Sequence, residues 1–143
     1  MSSTADAAGE SDLAGRLGFE RGNVVQEFGY DDDVDHDVRE AIEALTGNEL
    51  ADEDADEVVD GVILWWRHDD GDLVDAMVDT LGAIAEGAPI WLITPKSGRP
   101  GHVPPAEVEE AAPTAGLHVT RSIAAGPDWS ASRLVTPKSA RKG

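Results

Sequence analysis

Apolar residues along the chain follow two alternating rhythms, short continuous runs and recurrences every three to four positions. Asn23–Phe28 (NVVQEF) reads as a strand. After a turn at Gly29–Asp33, Val34, Val38, Ala41, Ile42 and Leu45 recur at helical spacing, and Gly47 stands where a C-terminal cap belongs. The acidic stretch Asn48–Asp60 has neither rhythm and leaves room for a short helical turn. Val62–Trp66 (VILWW) is a continuous apolar run, as expected of a strand covered on both faces. Past a loop with Gly71, the residues Leu73, Ala76, Met77, Thr80, Leu81 and Ile84 predict a second helix over 73–85, closed by Gly87. Pro89–Thr94 (PIWLIT) reads as another buried strand. Pro104 and Pro105 suit the first turn of a third helix, Ala106–Ala115, ended by Gly116. His118–Ile123 and Ser132–Thr136 read as two strands of a hairpin turned at Gly126-Pro127-Asp128. This alternation predicts an α/β fold, a mostly parallel sheet with helices on both faces and a C-terminal antiparallel hairpin. The word TPKS occurs at Thr94–Ser97 and Thr136–Ser139, but the surroundings differ and no repeat is read from it.

Composition narrows the picture. The 143 residues fit one domain. Residues 1–12 are small and polar and are expected to be a disordered head, 13–138 the domain, and 139–143 a basic tail. The head has neither a basic start nor an apolar core, so it is not read as a signal peptide, and no run approaches membrane-spanning length. A cytoplasmic protein without membrane contact is expected. There is no cysteine, which removes disulfides, thiolate metal sites and cysteine nucleophiles. The histidines His36, His68, His102 and His118 are scattered, with no metal-type spacing.

Charge changes the picture more. The formal net charge is −18, with 24 acids and 4 bases in residues 1–80 against 5 acids and 7 bases in 81–143. Such a chain is expected to stay off nucleic acid. The bases of the short basic end, Lys138, Arg141 and Lys142, read as solubilising.

In an open α/β sheet ligands sit beyond the carboxyl ends of the strands, so the turn Phe28-Gly29-Tyr30-Asp31-Asp32-Asp33 is the default site. A dinucleotide loop would need several glycines, and here only Gly29 is present. Three aspartates would also repel phosphate, which argues against NAD, FAD and ATP. The acids Asp31, Asp32, Asp33, Asp35 and Asp37 have the oxygen ligands of a hard-cation site but not the EF-hand pattern, and no dedicated metal site is read from them. They also suit the start of the following helix, as caps and as partners of its dipole.

Trp65 and Trp66 point to opposite faces of their strand. Both are expected in the core, with one, Trp66, able to floor a pocket. Arg67 and His68, with Lys96 at the end of the next strand, are expected to set positive charge beside the acidic turn. His68 has the right chemistry for acid–base work, but no second group is tied to it by sequence. Asp128-Trp129-Ser130 lacks a serine-nucleophile elbow, so Trp129 reads as hairpin packing and Ser130 as turn chemistry.

The runs RLGFERGNVVQEFGYDDDVDHDVREAIEALTGNELADEDADEVVDGVILWWR, LITPKSGRPGHV, EAAPTAGL and DWSASRLVTPKS resemble the actinobacterial domain-of-unknown-function 3052 family, over nearly all of the chain after residue 13. From Val62 onward the pattern is also similar, more loosely, to the second half of class I methyltransferase-like folds, which implies an abbreviated Rossmann-like architecture. That likeness raises S-adenosylmethionine as a ligand, which acids do not exclude because it carries a sulfonium and no phosphate. The methyltransferase loop, however, usually has several glycines, and its ribose-binding acid after a second strand has no match legible here.

The function expected is a non-catalytic binding or regulatory domain without cofactor. It would act on a protein partner or small ligand through Gly29, Tyr30, Asp31, Asp32, Asp33, Trp66, Arg67, His68 and Lys96. The rivals are a methyltransferase-like enzyme with a degenerate loop, and an acidic module that docks on a basic protein.

Overall fold

A computed structural model describes residues 15–55, 57–81, 84–85 and 87–136. The expected head (1–12) and tail (139–143) lie outside the described residues. The strands are β1 (Val25–Phe28), β2 (Gly61–Trp65), β3 (Ile90–Pro95), β4 (His118–Ala124) and β5 (Trp129–Val135), and the helices are α1 (His36–Thr46), α2 (Leu73–Thr80) and α3 (Pro105–Thr114). They form one five-stranded sheet in the order β1-β2-β3-β5-β4. β1, β2 and β3 run parallel, with Gln26 opposite Val62 and Leu64 opposite Leu92. β5 then inserts antiparallel between β3 and β4.

Every residue of β2 and β3 is buried, because each strand is covered on both faces. Alternate side chains feed two cores. Val25, Ile63, Trp65, Trp91 and Ile93 pack under α1 together with Leu17 and Phe19. Val62, Leu64, Trp66, Ile90 and Leu92 pack under α2 and α3. The molecule is therefore a three-layer α/β/α arrangement, and no described helix is long and apolar enough to cross a membrane.

Three local expectations are corrected, and the acidic stretch gains a definite form. Asn48–Asp60 holds one tight turn, the Ala55 N–H donating to the Asp52 carbonyl at 3.0 Å. Before it, Ala51 lies parallel against Gln26 on the outer edge of β1, its N–H donating to the Val25 carbonyl at 2.9 Å while its carbonyl accepts from the Glu27 N–H at 2.8 Å. The second helix ends at Thr80, whose hydroxyl donates to the Met77 carbonyl at 2.6 Å. Ile84 is not on its face but in a parallel bridge with Val59. Finally, β5 begins at Trp129 rather than Ser132, so Ser130 is a strand residue paired with Thr94 rather than turn chemistry, while Trp129, paired with Pro95, packs into the core as expected.

Candidate functional site at the carboxyl edge of the sheet

β1 and β2 end side by side, and their last residues build the site. Gly29 leaves β1 with φ +78°, and a methyl group placed on it would lie 2.1 Å from the Trp65 carbonyl oxygen. Only glycine fits a left-handed turn this close to a neighbouring strand. Both peptide groups of Gly29 are bound by the protein itself. Its N–H donates to Glu53 Oε2 at 3.2 Å, and its carbonyl accepts from Arg67 Nη1 at 2.8 Å.

Arg67 is the centre of this edge. Its Nε donates to Asp33 Oδ2 at 3.0 Å, its Nη2 to the other oxygen of Asp33, and its Nη1 to Asp70 Oδ2 at 3.2 Å. The guanidinium also lies 5.5 Å from the centre of the Trp129 ring. Burial works against the charge on Arg67, but its bonds to Asp33 and Asp70 outweigh it and raise the pKa above its ordinary value. The same hydrogen bond from Arg67 holds the Asp33 carboxyl below the usual carboxylate range. Arg67 thus ties the turn after β1 to the loop after β2 and to β5, and its charge is already matched. Of the residues expected to set positive charge beside the acidic turn, Arg67 does so, bonded to Asp33 of that turn, whereas His68 lies against Glu107.

A cleft of about 300 Å³ opens beside this pair. Phe28, Tyr30 and Trp66 supply aromatic walls, and Asp31, Glu53, Asp70 and Asp79 supply carboxylates. Tyr30 is half exposed yet held in place, with the Arg39 guanidinium 4.8 Å from its ring centre and the His36 ring edge-on at 6.0 Å. Of the residues singled out from sequence, Gly29, Tyr30, Asp31, Trp66 and Arg67 line the cleft. Asp33 reaches it only through Arg67, and with Trp129, Pro95 and Arg99 it lines a second hollow of about 220 Å³. Asp32 is exposed in the turn, and its N–H donates to Asp31 Oδ1 at 2.8 Å. His68 is exposed, with Nε2 3.5 Å from Glu107 Oε2. Lys96 is half-buried beyond β3, with its N–H on the Asp128 carbonyl at 2.9 Å. The capping role falls to Asp35, whose Oδ1 accepts from the N–H groups of Asp37 and Val38.

Sequence reasoning missed Glu27, Arg39 and Glu53. Glu27 is buried on β1 and accepts from Arg39 Nε at 2.7 Å, Arg39 Nη2 at 2.9 Å and Trp65 Nε1 at 2.8 Å. The bond to Glu27 raises the Arg39 pKa above its ordinary value, so Arg39 remains a fixed cation under Tyr30. One signal was present: Glu27 shares the inward face of its strand with Val25, and a buried acid needs a partner. Arg39 is the only base in α1. Glu53 carried no such signal, because its position depends on the pairing of Ala51 with β1. Among the described residues, no group of three or more acids and histidines is placed to hold a metal ion.

Known proteins place this geometry in context. The chain is 58% identical over 129 residues to an uncharacterised protein of Mycobacterium tuberculosis (strain ATCC 25618 / H37Rv), covering 90% of this chain and 81% of that one. Among solved structures it resembles the mitomycin 7-O-methyltransferase, with a TM-score of 0.63 at 10% identity, over 93% of this chain and 54% of that one. The chain thus spans about half the length of that enzyme. It also resembles a SAM-dependent methyltransferase from Aquifex aeolicus, with a TM-score of 0.60 at 14% identity, over 87% of this chain and 88% of that one. At such identities the likeness concerns the fold alone, a Rossmann-like sheet of the methyltransferase type. The family described as "Protein of unknown function (DUF3052)" matches residues 14–138, and the chain belongs to it.

Proposed function

We propose that this protein is a non-catalytic binding or regulatory domain on a methyltransferase-like scaffold, with its ligand or partner site in the cleft between the ends of β1 and β2. One observation carries the reading: Gly29, the residue with which the chain leaves β1, has both of its peptide groups taken up by the protein. The Gly29 N–H is on Glu53, its carbonyl is on Arg67, and its α-carbon abuts the Trp65 carbonyl. Cofactor loops of α/β enzymes offer free backbone N–H groups to the ligand at this place. The aromatic walls and carboxylate rim of the cleft suit a neutral or cationic group better than a phosphate. S-adenosylmethionine and S-adenosylhomocysteine, titrated calorimetrically, should give no submillimolar binding. Submillimolar affinity for either would overturn the reading.

A second reading, a methyltransferase-like enzyme with a degenerate loop, has one observation in its favour. Ala51 runs parallel beside β1, and Glu53 follows two residues later at the same carboxyl edge. An acid after a second strand is what the methyltransferase pattern requires. In that reading Glu53 must leave Gly29 to reach a ribose, so Glu53→Gln should abolish cofactor binding. In the first reading it should only loosen the turn.

A further inference from the structure

Away from the carboxyl-edge cleft, α2 and α3 enclose a groove of about 520 Å³. Its apolar wall is Leu73, Val74 and Ala111, and its rim is Asp72, Glu107 and Glu110. Val78, one turn beyond Val74 on the same helix face, is 49% exposed and extends the apolar strip. Neither α2 nor α3 contains a lysine or arginine. The groove therefore combines the partly exposed Leu73 and Val74 and the exposed Val78 with charge of one sign, the two features that a basic amphipathic helix complements.

We infer that this groove docks a basic amphipathic helix of another protein, with apolar residues at helical spacing and lysine or arginine on its flanks. Charge complementarity selects the flanks, and Leu73, Val74, Ala111 and Val78 select the apolar face. The chain's own basic end, Pro137–Gly143 (PKSARKG), has the charge but no large apolar side chain to fill the wall. A helix such as α3, ten residues long, runs about 15 Å, so two to three turns of a partner cover the groove.

The test uses the full chain and three labelled two-heptad peptides read by fluorescence anisotropy. One carries Leu and Lys at helical spacing, one replaces Leu by Ser, and one replaces Lys by Glu. The Leu/Lys peptide should bind, and the other two should bind about tenfold more weakly or less. The Glu107→Gln/Glu110→Gln pair and Val74→Ser should each weaken the Leu/Lys peptide about fivefold or more, whereas Asp54→Asn/Glu57→Gln, equally acidic but elsewhere, should leave it unchanged. Thermal melts of each variant separate lost docking from lost folding. Equal binding of the Ser/Lys peptide, or equal weakening by the Asp54/Glu57 pair, would show a diffuse acidic field and overturn the inference. Absence of binding would overturn it too, as would binding only after removal of residues 137–143, which would mean that the chain fills its own groove.

Discussion

At the scale of single residues, the carboxyl edge is organised by Gly29 and Arg67. Gly29→Ala adds a methyl group 2.1 Å from the Trp65 carbonyl oxygen at φ +78°. The left-handed conformation alone costs roughly 1–2 kcal/mol, and the overlap adds to it. Urea unfolding should show a loss of about 2 kcal/mol or more, and a neutral result would mean that the turn relaxes freely. Asp33 offers a pH readout. Its folded pKa is depressed by Arg67, so its contribution is complete above its unfolded pKa, about 4, and disappears as pH falls through the lower folded value. The stability difference between the wild type and Asp33→Asn should be constant from about pH 5 to 7 and shrink below about pH 4. A difference that persists unchanged into acid would show that the ion pair is not its source. Because Asp33 is 54% exposed, solvent screens much of this pair and the effect should be modest.

At the scale of elements, β2 and β3 carry the structure while the sheet edges differ in character. Ile93 is fully buried opposite Trp65, and Ile93→Ala should cost about 2–5 kcal/mol in urea titration. Amide exchange should rank the elements in the same order, slowest in β3, which is paired on both sides, and faster in β4, which pairs only with β5. Comparable exchange in the two strands would contradict the core assigned here. The opposite edge, β1, is shielded over part of its length by Ala51 and by the Gln26 amide, which donates to the Asp52 carbonyl at 3.0 Å. Covering an edge with an acidic loop is an established way to keep strands from pairing with other chains. The hairpin turn is seated by Gly126, where a methyl group would meet Asp35 Oδ2 at 2.3 Å. The β4–β5 turn therefore lies directly on the cap of α1.

At the scale of the molecule, the formal charge of −18 opposes compaction. The bidentate pairs of Arg39 with Glu27 and of Arg67 with Asp33 are partly sheltered, so salt screens them less than it screens the exposed acids. Added salt or millimolar Mg²⁺ should therefore raise the melting temperature modestly. A fall would indicate that surface ion pairs, rather than self-repulsion, dominate. The same asymmetry predicts that a basic partner associates quickly at low ionic strength and much more slowly as salt is added.

What the amino-acid order determines by itself is whatever depends on local periodicity and on residue chemistry. The apolar runs VILWW and PIWLIT are legible as parallel central strands because burial on both faces requires apolar residues at every position. The spacing of Val38, Ala41 and Ile42 marks α1 because a helix buries one stripe. The candidate site was legible as a place, the turn after β1, and as a chemistry poor in glycine and rich in acid. Tertiary structure alone decided the partnerships. Arg67 appears in sequence as a rim charge near the acidic turn, and only the approach of Asp33 from another strand end shows which acid it clasps. Glu53 lies in a stretch without pattern, and it reaches the site because Ala51 borrows the edge of β1. Ile84 continues a helical rhythm but is taken by Val59, and Trp129 begins a strand because β3 lies ready to pair with it. Hydrogen bonds between distant segments have no local signature, since backbone donors and acceptors are the same at every residue. Which of them meet is therefore settled only when the chain packs.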